Sequence, residues 1–160
     1  MTGRPGTGGP ASADDRDRAL LRRAIELSHR CPPSATAFSV GCVIADRNRK
    51  VIAEGYSRRD DPHDHAEETA LRGLAPDDGR LAGATLYSSL EPCGRRASRP
   101  HPCAELILAT PIPRIVYAWS EPSLFVEATG AARLAGSGRT VVRAPDLEEE
   151  ARAANAHLLS

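Results

Sequence analysis

The sequence predicts a three-layer α/β/α sandwich on a mixed sheet of about five strands. Strand-like and helical runs alternate after residue 80, which implies parallel strands with helices covering the faces. Before that point two apolar runs flank the polar stretch Asp46-Arg47-Asn48-Arg49-Lys50, the signature of an antiparallel hairpin. No internal repeat or interdomain linker interrupts the pattern, and 160 residues fit one compact domain.

Each element has a local reason. Residues 1–13 are rich in Gly, Pro, Thr and Ser, so a disordered lead-in is expected before a single domain over 14–160. Asp14 or Asp15 caps a helix to about Cys31, with Leu20, Leu21, Ala24, Ile25 and Leu27 at helical spacing and Pro32-Pro33 as the stop. Strands are expected over 40–45 and 51–55. A polar loop over 57–64 leads into a helix from about His65 to Leu74, ended by Pro76 and Asp77-Asp78-Gly79. A third strand covers 84–90, and 91–102 is a loop rich in proline and arginine. Cys103 opens a helix over 104–109 that Pro111 stops. The fourth strand is 114–119. Residues 123–134 are helical until Gly136 and Gly138, 140–143 is a short fifth strand, and Asp146 caps a last helix to about Leu159.

Composition excludes several classes. Net charge is zero, with 21 basic and 21 acidic residues, which argues against a broad footprint for nucleic acid or an anionic membrane. Aromatic residues make up 4%, too few for base-stacking platforms. No run approaches the roughly 20 apolar residues of a membrane span. The N-terminus has no apolar h-region, so a cytoplasmic location and four reduced cysteines are expected. Reduced cysteines then point to metal binding or catalysis.

His65-Ala66-Glu67, Pro92-Cys93 and Cys103 carry the chemistry. One imidazole and two thiolates suit zinc and leave a fourth tetrahedral position for water or hydroxide, the arrangement of a catalytic site holding one Zn2+ per chain. The pattern H-x-E followed by P-C-x-x-C marks zinc-dependent base deaminases; here nine residues, 94–102, separate the cysteines instead of two. His65 and Glu67 are two apart and would face apart on a regular helix, so they belong in its first turn. Cys103 opens a helix, where the positive dipole end favours a thiolate. Two thiolates cancel the zinc charge, so the bound water is acidified less than in a three-histidine site, where its pKa falls to about 7. Glu67 is the neighbouring base that completes deprotonation and passes the proton to a ring nitrogen and a departing amine.

Other readings stand beside this one. His63 or His101 could close a structural Cys2His2 site, a non-enzymatic zinc module. Cys42 packs as a small hydrophobe in a strand, and Cys31 is read the same way. Arg95, Arg96 and Arg99 lie between two metal ligands and are placed to reach an anionic group on a substrate, or else form a solvated basic loop. His63 either lines the pocket entrance or lies on the loop surface. Trp119 borders the pocket, fills the core or meets a second subunit.

Leu86-Tyr87-Ser88-Ser89-Leu90-Glu91-Pro92-Cys93, the long proline-bearing insert, Pro102-Cys103-Ala104-Glu105-Leu106-Ile107 and Arg114-Ile115-Val116-Tyr117-Ala118 resemble the cytidine deaminase-like superfamily. Within it they are most similar to the deaminase domain of bifunctional riboflavin-biosynthesis enzymes, over about residues 17–159. The resemblance implies His65, Cys93 and Cys103 as zinc ligands, Glu67 as proton shuttle, and a homodimer. Three departures stand out. Ala37-Phe38-Ser39-Val40-Gly41 replaces the subgroup's Asn-Pro-x-Val-Gly, whose asparagine contacts substrate; Ser120-Glu121-Pro122-Ser123 replaces Asp-Pro-Asn-Pro; and the sequence stops at Ser160, short of a reductase domain.

The expectation is a zinc-dependent aminohydrolase that removes an exocyclic amine from a small heterocycle and releases ammonia. One version takes a diaminopyrimidine ribosyl phosphate, with Arg95, Arg96 or Arg99 on the phosphate. The other, favoured by the missing asparagine, takes a free base, nucleoside or specialised metabolite against Phe38 and Ser39.

Overall fold

The computed structural model describes residues 11–94, 101–120 and 130–159. The chain opens with α1 (Asp15–Ser28), capped by a reciprocal box in which Asp14 and Asp17 each accept the other's backbone N–H at 2.8 and 3.0 Å. It then runs through β1 (Gly41–Ala45) and β2 (Val51–Tyr56) to α2 (Ala66–Arg72). A single-turn 3-10 segment, Gly79–Gly83, precedes β3 (Thr85–Leu90). There follow α3 (Cys103–Leu108), β4 (Arg114–Trp119), α4 (Gly130–Gly136) and β5 (Thr140–Arg143). The described chain ends in a 3-10 turn, Pro145–Leu147, with α5 (Glu148–Ala153) and α6 (Ala156–Leu159).

The five strands form one mixed sheet in the order β2-β1-β3-β4-β5. β1 is antiparallel to both β2 and β3, while β3, β4 and β5 run parallel. The hairpin turn is set by Asp46, whose Oδ1 accepts the N–H groups of Asn48 and Lys50 at 2.8 and 3.0 Å.

Glycines fix the layers. A Cβ at Gly41 would lie 1.8 Å from the Ala24 carbonyl oxygen on α1, and one at Gly55 would lie 2.6 Å from that of Ala66 on α2. Gly55 pairs with Cys42, the neighbour of Gly41, so the two glycines point to opposite faces. Helices α1 and α5 therefore cover one face, and α2 and α3 the other. The cross-strand row Val43–Tyr87–Val116–Val142 faces α1, and Ile44–Leu86–Ile115–Val141 faces α2 and α3. All but Val141 are essentially fully buried. No helix among the described residues is long and apolar enough to cross a membrane.

A buried polar lock sits on the α1 face. Asp17 accepts the Tyr87 hydroxyl at 2.7 Å and both terminal nitrogens of Arg114 at 2.9 and 2.8 Å. Arg49, in the left-handed region at φ 65°, pairs with Asp14 and approaches Asp17 to 3.2 Å.

The expected elements are present, with local differences. The first helix stops at Ser28, because the N–H groups of His29, Arg30 and Cys31 turn back to carbonyls three residues earlier. Asp146 does not cap the last helix. It lies in the 3-10 turn and its carboxylate takes Arg18 Nε at 2.8 Å, so α5 starts at Glu148. The expected helix to Leu159 is broken at Ala154-Asn155, where the Asn155 side chain turns onto Ser39. Most of the expected 123–134 helix lies outside the described residues. So do residues 1–10 of the lead-in, while the carbonyls of Ser12 and Ala13 accept from Arg114 and Arg18.

Candidate metal centre and pocket

The centre forms where three element ends meet, past the C-terminal end of β3 and at the starts of α2 and α3, the usual ligand position in open α/β sheets. His65 is the N-cap of α2, with extended backbone at φ −91°, ψ 160°. Its backbone is tied twice: its N–H donates to Glu68 at 2.9 Å, and its carbonyl accepts the Thr69 hydroxyl at 3.0 Å. The preceding Asp64 is buried and takes Arg72 through two hydrogen bonds of 2.9 Å. The imidazole is thus carried out of the helix at a fixed position.

Cys93 follows β3 by three residues and Cys103 is the first residue of α3. The Cys103 N–H donates to Cys93 Sγ at 3.2 Å and the Ala104 N–H to the Cys93 carbonyl at 3.0 Å, so the start of α3 holds both thiols. His65 Nδ1 lies 3.6 Å from Cys93 Sγ and 3.3 Å from Cys103 Sγ. The three donor atoms all lie within 4.8 Å of one another. Tetrahedral zinc with ordinary Zn–N and Zn–S bonds separates such atoms by about 3.6 Å, so this donor set fits the ion. The Cys93 thiol is held down to about 4, by hydrogen bonding with Cys103 foremost, against burial, with His65 assisting. A thiolate is the form a metal takes.

Glu67, in the first turn of α2, is buried beside these groups. Burial foremost, then the Cys93 thiolate, raises its pKa above the ordinary carboxylate range. Ser88 Oγ lies 3.1 Å from Glu67 Oε2 and 2.6 Å from the Leu90 carbonyl. Donation from the Ser88 hydroxyl favours the carboxylate and partly offsets that rise.

A pocket of about 330 Å3 opens over the cluster, with His65, Glu67 and Cys93 among its lining. Phe38, Val40, Arg58, His63 and Glu91 also border it. Phe38 packs edge-on against Trp119, with centroids 5.1 Å apart and planes at 67°. His63 is exposed at the rim. Ser39 is not in the lining; its hydroxyl accepts Arg58 at 2.7 Å. Arg95, Arg96 and Arg99 lie outside the described residues. His101 is exposed, 3.4 Å from Glu105. Cys42 is fully buried with its thiol pushed up by burial and then by Glu67, as fits a packing residue. Sequence reasoning missed Ser88, Arg58 and Asn155, whose roles rest on contacts between distant segments; Glu91, already part of the motif before Cys93, accepts the Ala131 N–H at the start of α4 at 2.9 Å.

Comparisons with known proteins agree with this geometry. The family model for the cytidine and deoxycytidylate deaminase zinc-binding region matches residues 14–119. A diaminohydroxyphosphoribosylamino-pyrimidine deaminase of Schizosaccharomyces pombe is 35% identical over 125 residues, covering 76% of this chain and 30% of that protein. The riboflavin biosynthesis protein RibD of Escherichia coli is 33% identical over 128 residues, covering 77% of this chain and 32% of the relative. Among solved structures, Acinetobacter baumannii RibD superposes with a TM-score of 0.74 at 31% identity, over 90% of this chain and 39% of that one. The chain thus spans about a third of the length of these relatives. With the His/Cys/Cys cluster, the buried glutamate and the five-stranded sheet in place, the chain belongs to the family of the cytidine and deoxycytidylate deaminase zinc-binding region.

Proposed function

We propose that this protein is a zinc-dependent hydrolytic deaminase acting on a diaminopyrimidine of the kind named for its relatives, converting a ring C–NH2 to C=O with uptake of water and loss of ammonia. The observation that carries the reading is Glu67, buried with a raised pKa beside the His65, Cys93 and Cys103 donors at the base of a pocket. His65, Cys93 and Cys103 hold the metal. Bound there, zinc supplies Lewis acidity that makes water a nucleophile near neutral pH. Glu67 would take one proton from the attacking water and hand it to the ring nitrogen, then take the second from the resulting hydroxyl and hand it to the amine, which leaves as ammonia. Its raised pKa suits both halves of the transfer, since a carboxylate poised nearer neutrality accepts and releases readily. Ser88 holds the carboxylate in register. The apolar wall of Phe38, backed by Trp119, takes the flat face of the ring.

That wall favours a second reading in which the substrate is a free base or nucleoside, because Ala37 stands where the riboflavin-type enzymes carry the asparagine and the aromatic Phe38 follows in place of the proline. Both readings place the protein in the cytoplasm as a homodimer.

The test is ammonia release over a panel of bases, nucleosides and phosphorylated aminopyrimidines, with zinc measured alongside. The phosphoribosylamino-diaminopyrimidine is expected to turn over best, and Glu67→Ala to lose at least about 100-fold in rate while keeping its zinc. Full activity in Glu67→Ala overturns the proton role. Zinc bound without ammonia release from any compound would make this a structural zinc module, and preference for an unphosphorylated compound would select the second reading.

A further inference from the structure

Phe38 lies on an irregular segment between α1 and β1, and such a segment does not hold an aromatic wall in place by itself. It is gripped from two sides. Arg58 donates to the Pro32 carbonyl from Nε and Nη2 at 3.0 and 2.8 Å, and to the Phe38 carbonyl and Ser39 hydroxyl at 3.0 and 2.7 Å. From the other side comes Asn155, more than a hundred residues away. Its Oδ1 accepts the Ser39 N–H at 2.6 Å and its Nδ2 donates to the Ser39 carbonyl at 3.0 Å. A side-chain amide thus copies one rung of strand pairing, and it does so at 1% exposure. His157 Nε2 reaches the Ser34 carbonyl at 2.9 Å, and Arg152 lies over the Trp119 ring at 5.8 Å. The contacts of Arg152, Asn155 and His157 all end on the segment or on the ring behind Phe38.

We propose that the C-terminal segment 148–159 determines which heterocycle the pocket accepts, with Asn155 as the positioning residue that sets Phe38 through the backbone of Ser39. This rests on the deaminase reading above. Asn155 is not part of the pocket lining; it fixes the main chain one residue beyond the wall. A buried amide whose donor and acceptor are both matched specifies one backbone position, where an apolar residue would leave several. The break between α5 and α6 is what frees Asn155 to make the contact.

Two readouts test it on the full-length, zinc-loaded chain. Trp119 is the lone tryptophan, so acrylamide quenching of its fluorescence reports on the wall without any substrate. Asn155→Ala should raise the quenching constant about twofold, as a loosened loop admits the quencher. On the best substrate of the panel, KM should rise about tenfold with kcat and zinc content held, the pattern of lost ground-state positioning. In a Phe38→Ala/Asn155→Ala double variant, KM should match that of Phe38→Ala alone, because the amide acts through the ring. If Asn155→Ala does not fold, His157→Ala, at the exposed end of the same grip, should raise both readouts about threefold or less in the same direction. Unchanged Trp119 quenching overturns the proposal even if the chain proves inactive. Unchanged KM, or KM effects that multiply in the double variant, also overturn it. Wild-type inactivity with altered quenching instead counts against the deaminase reading.

Discussion

Replacing Arg114 by alanine should destabilise the fold without disturbing the metal centre, which lies across the sheet. Arg114 and Asp17 are 3% and 0% exposed and joined by two hydrogen bonds of 2.8 and 2.9 Å. Removing one partner of such a pair leaves the other charge buried, at a cost of about 3–5 kcal/mol. Tyr87 at 2.7 Å and Arg49 at 3.2 Å remain on Asp17, which places the expected loss near the lower end, at about 3 kcal/mol. For a chain of this size that lowers the unfolding midpoint by about 6–12 °C. Urea and thermal unfolding of the zinc-loaded protein measure it. The pH dependence supplies an independent check. Burial alone would raise the Asp17 carboxyl, but hydrogen bonds from Arg114, then Tyr87, outweigh it and hold the folded value well below the ordinary 3.8. The resulting stabilisation is complete above that ordinary value and is lost as pH falls from there toward the folded one. The wild type should therefore lose stability more steeply than Arg114→Ala below pH 3.8. A loss under about 1 kcal/mol, the range of exposed ion pairs, or identical acid limbs in the two proteins would refute the reasoning.

Three further outcomes are expected. Cys103→Ser should weaken zinc at least about 100-fold in chelator competition, beyond what second-sphere changes cause; full retention would remove Cys103 from the ligand set. Glu67→Ala should keep its zinc and lose turnover, as set out above. Ser88→Ala removes a hydrogen bond that lowers the Glu67 pKa, against the larger effect of burial. The acidic limb of kcat/KM should then move to higher pH, and an unmoved or lowered limb would show that Ser88 does not set the carboxylate.

The metal cluster was legible because its chemistry is written in residue type and short spacing. His65, Glu67, Cys93 and Cys103 each sit at an element end that local signals locate, a capped helix start or the residue after an apolar run. The hairpin was legible for the same reason, since Asp46 and the flanking runs are neighbours. What was hidden depends on distant segments meeting. Asn155 and Ser39 are 116 residues apart, and Asp17 and Arg114 are 97 apart. Nothing at either position marks its partner, and an asparagine in a polar C-terminal helix reads as solvated. The insertion of β1 between β2 and β3 was equally hidden, since pairing periodicity does not name a neighbour. Ser88 illustrates a third kind of gap: its strand was foreseen, and its face follows from alternation, yet its partner depended on which helix covers that face.

The double tethering of His65 bears on the order in which this protein is made ready. Its backbone is fixed by Glu68 and Thr69, and the two thiols are fixed by the start of α3, all through contacts that involve no ion. In small zinc modules the ion and the fold arrive together, and chelation unfolds the chain. Here the contacts that place the donors belong to the fold itself, so loading is expected to be a reversible step on a folded chain, with chelation removing the metal and leaving the far-UV circular dichroism unchanged.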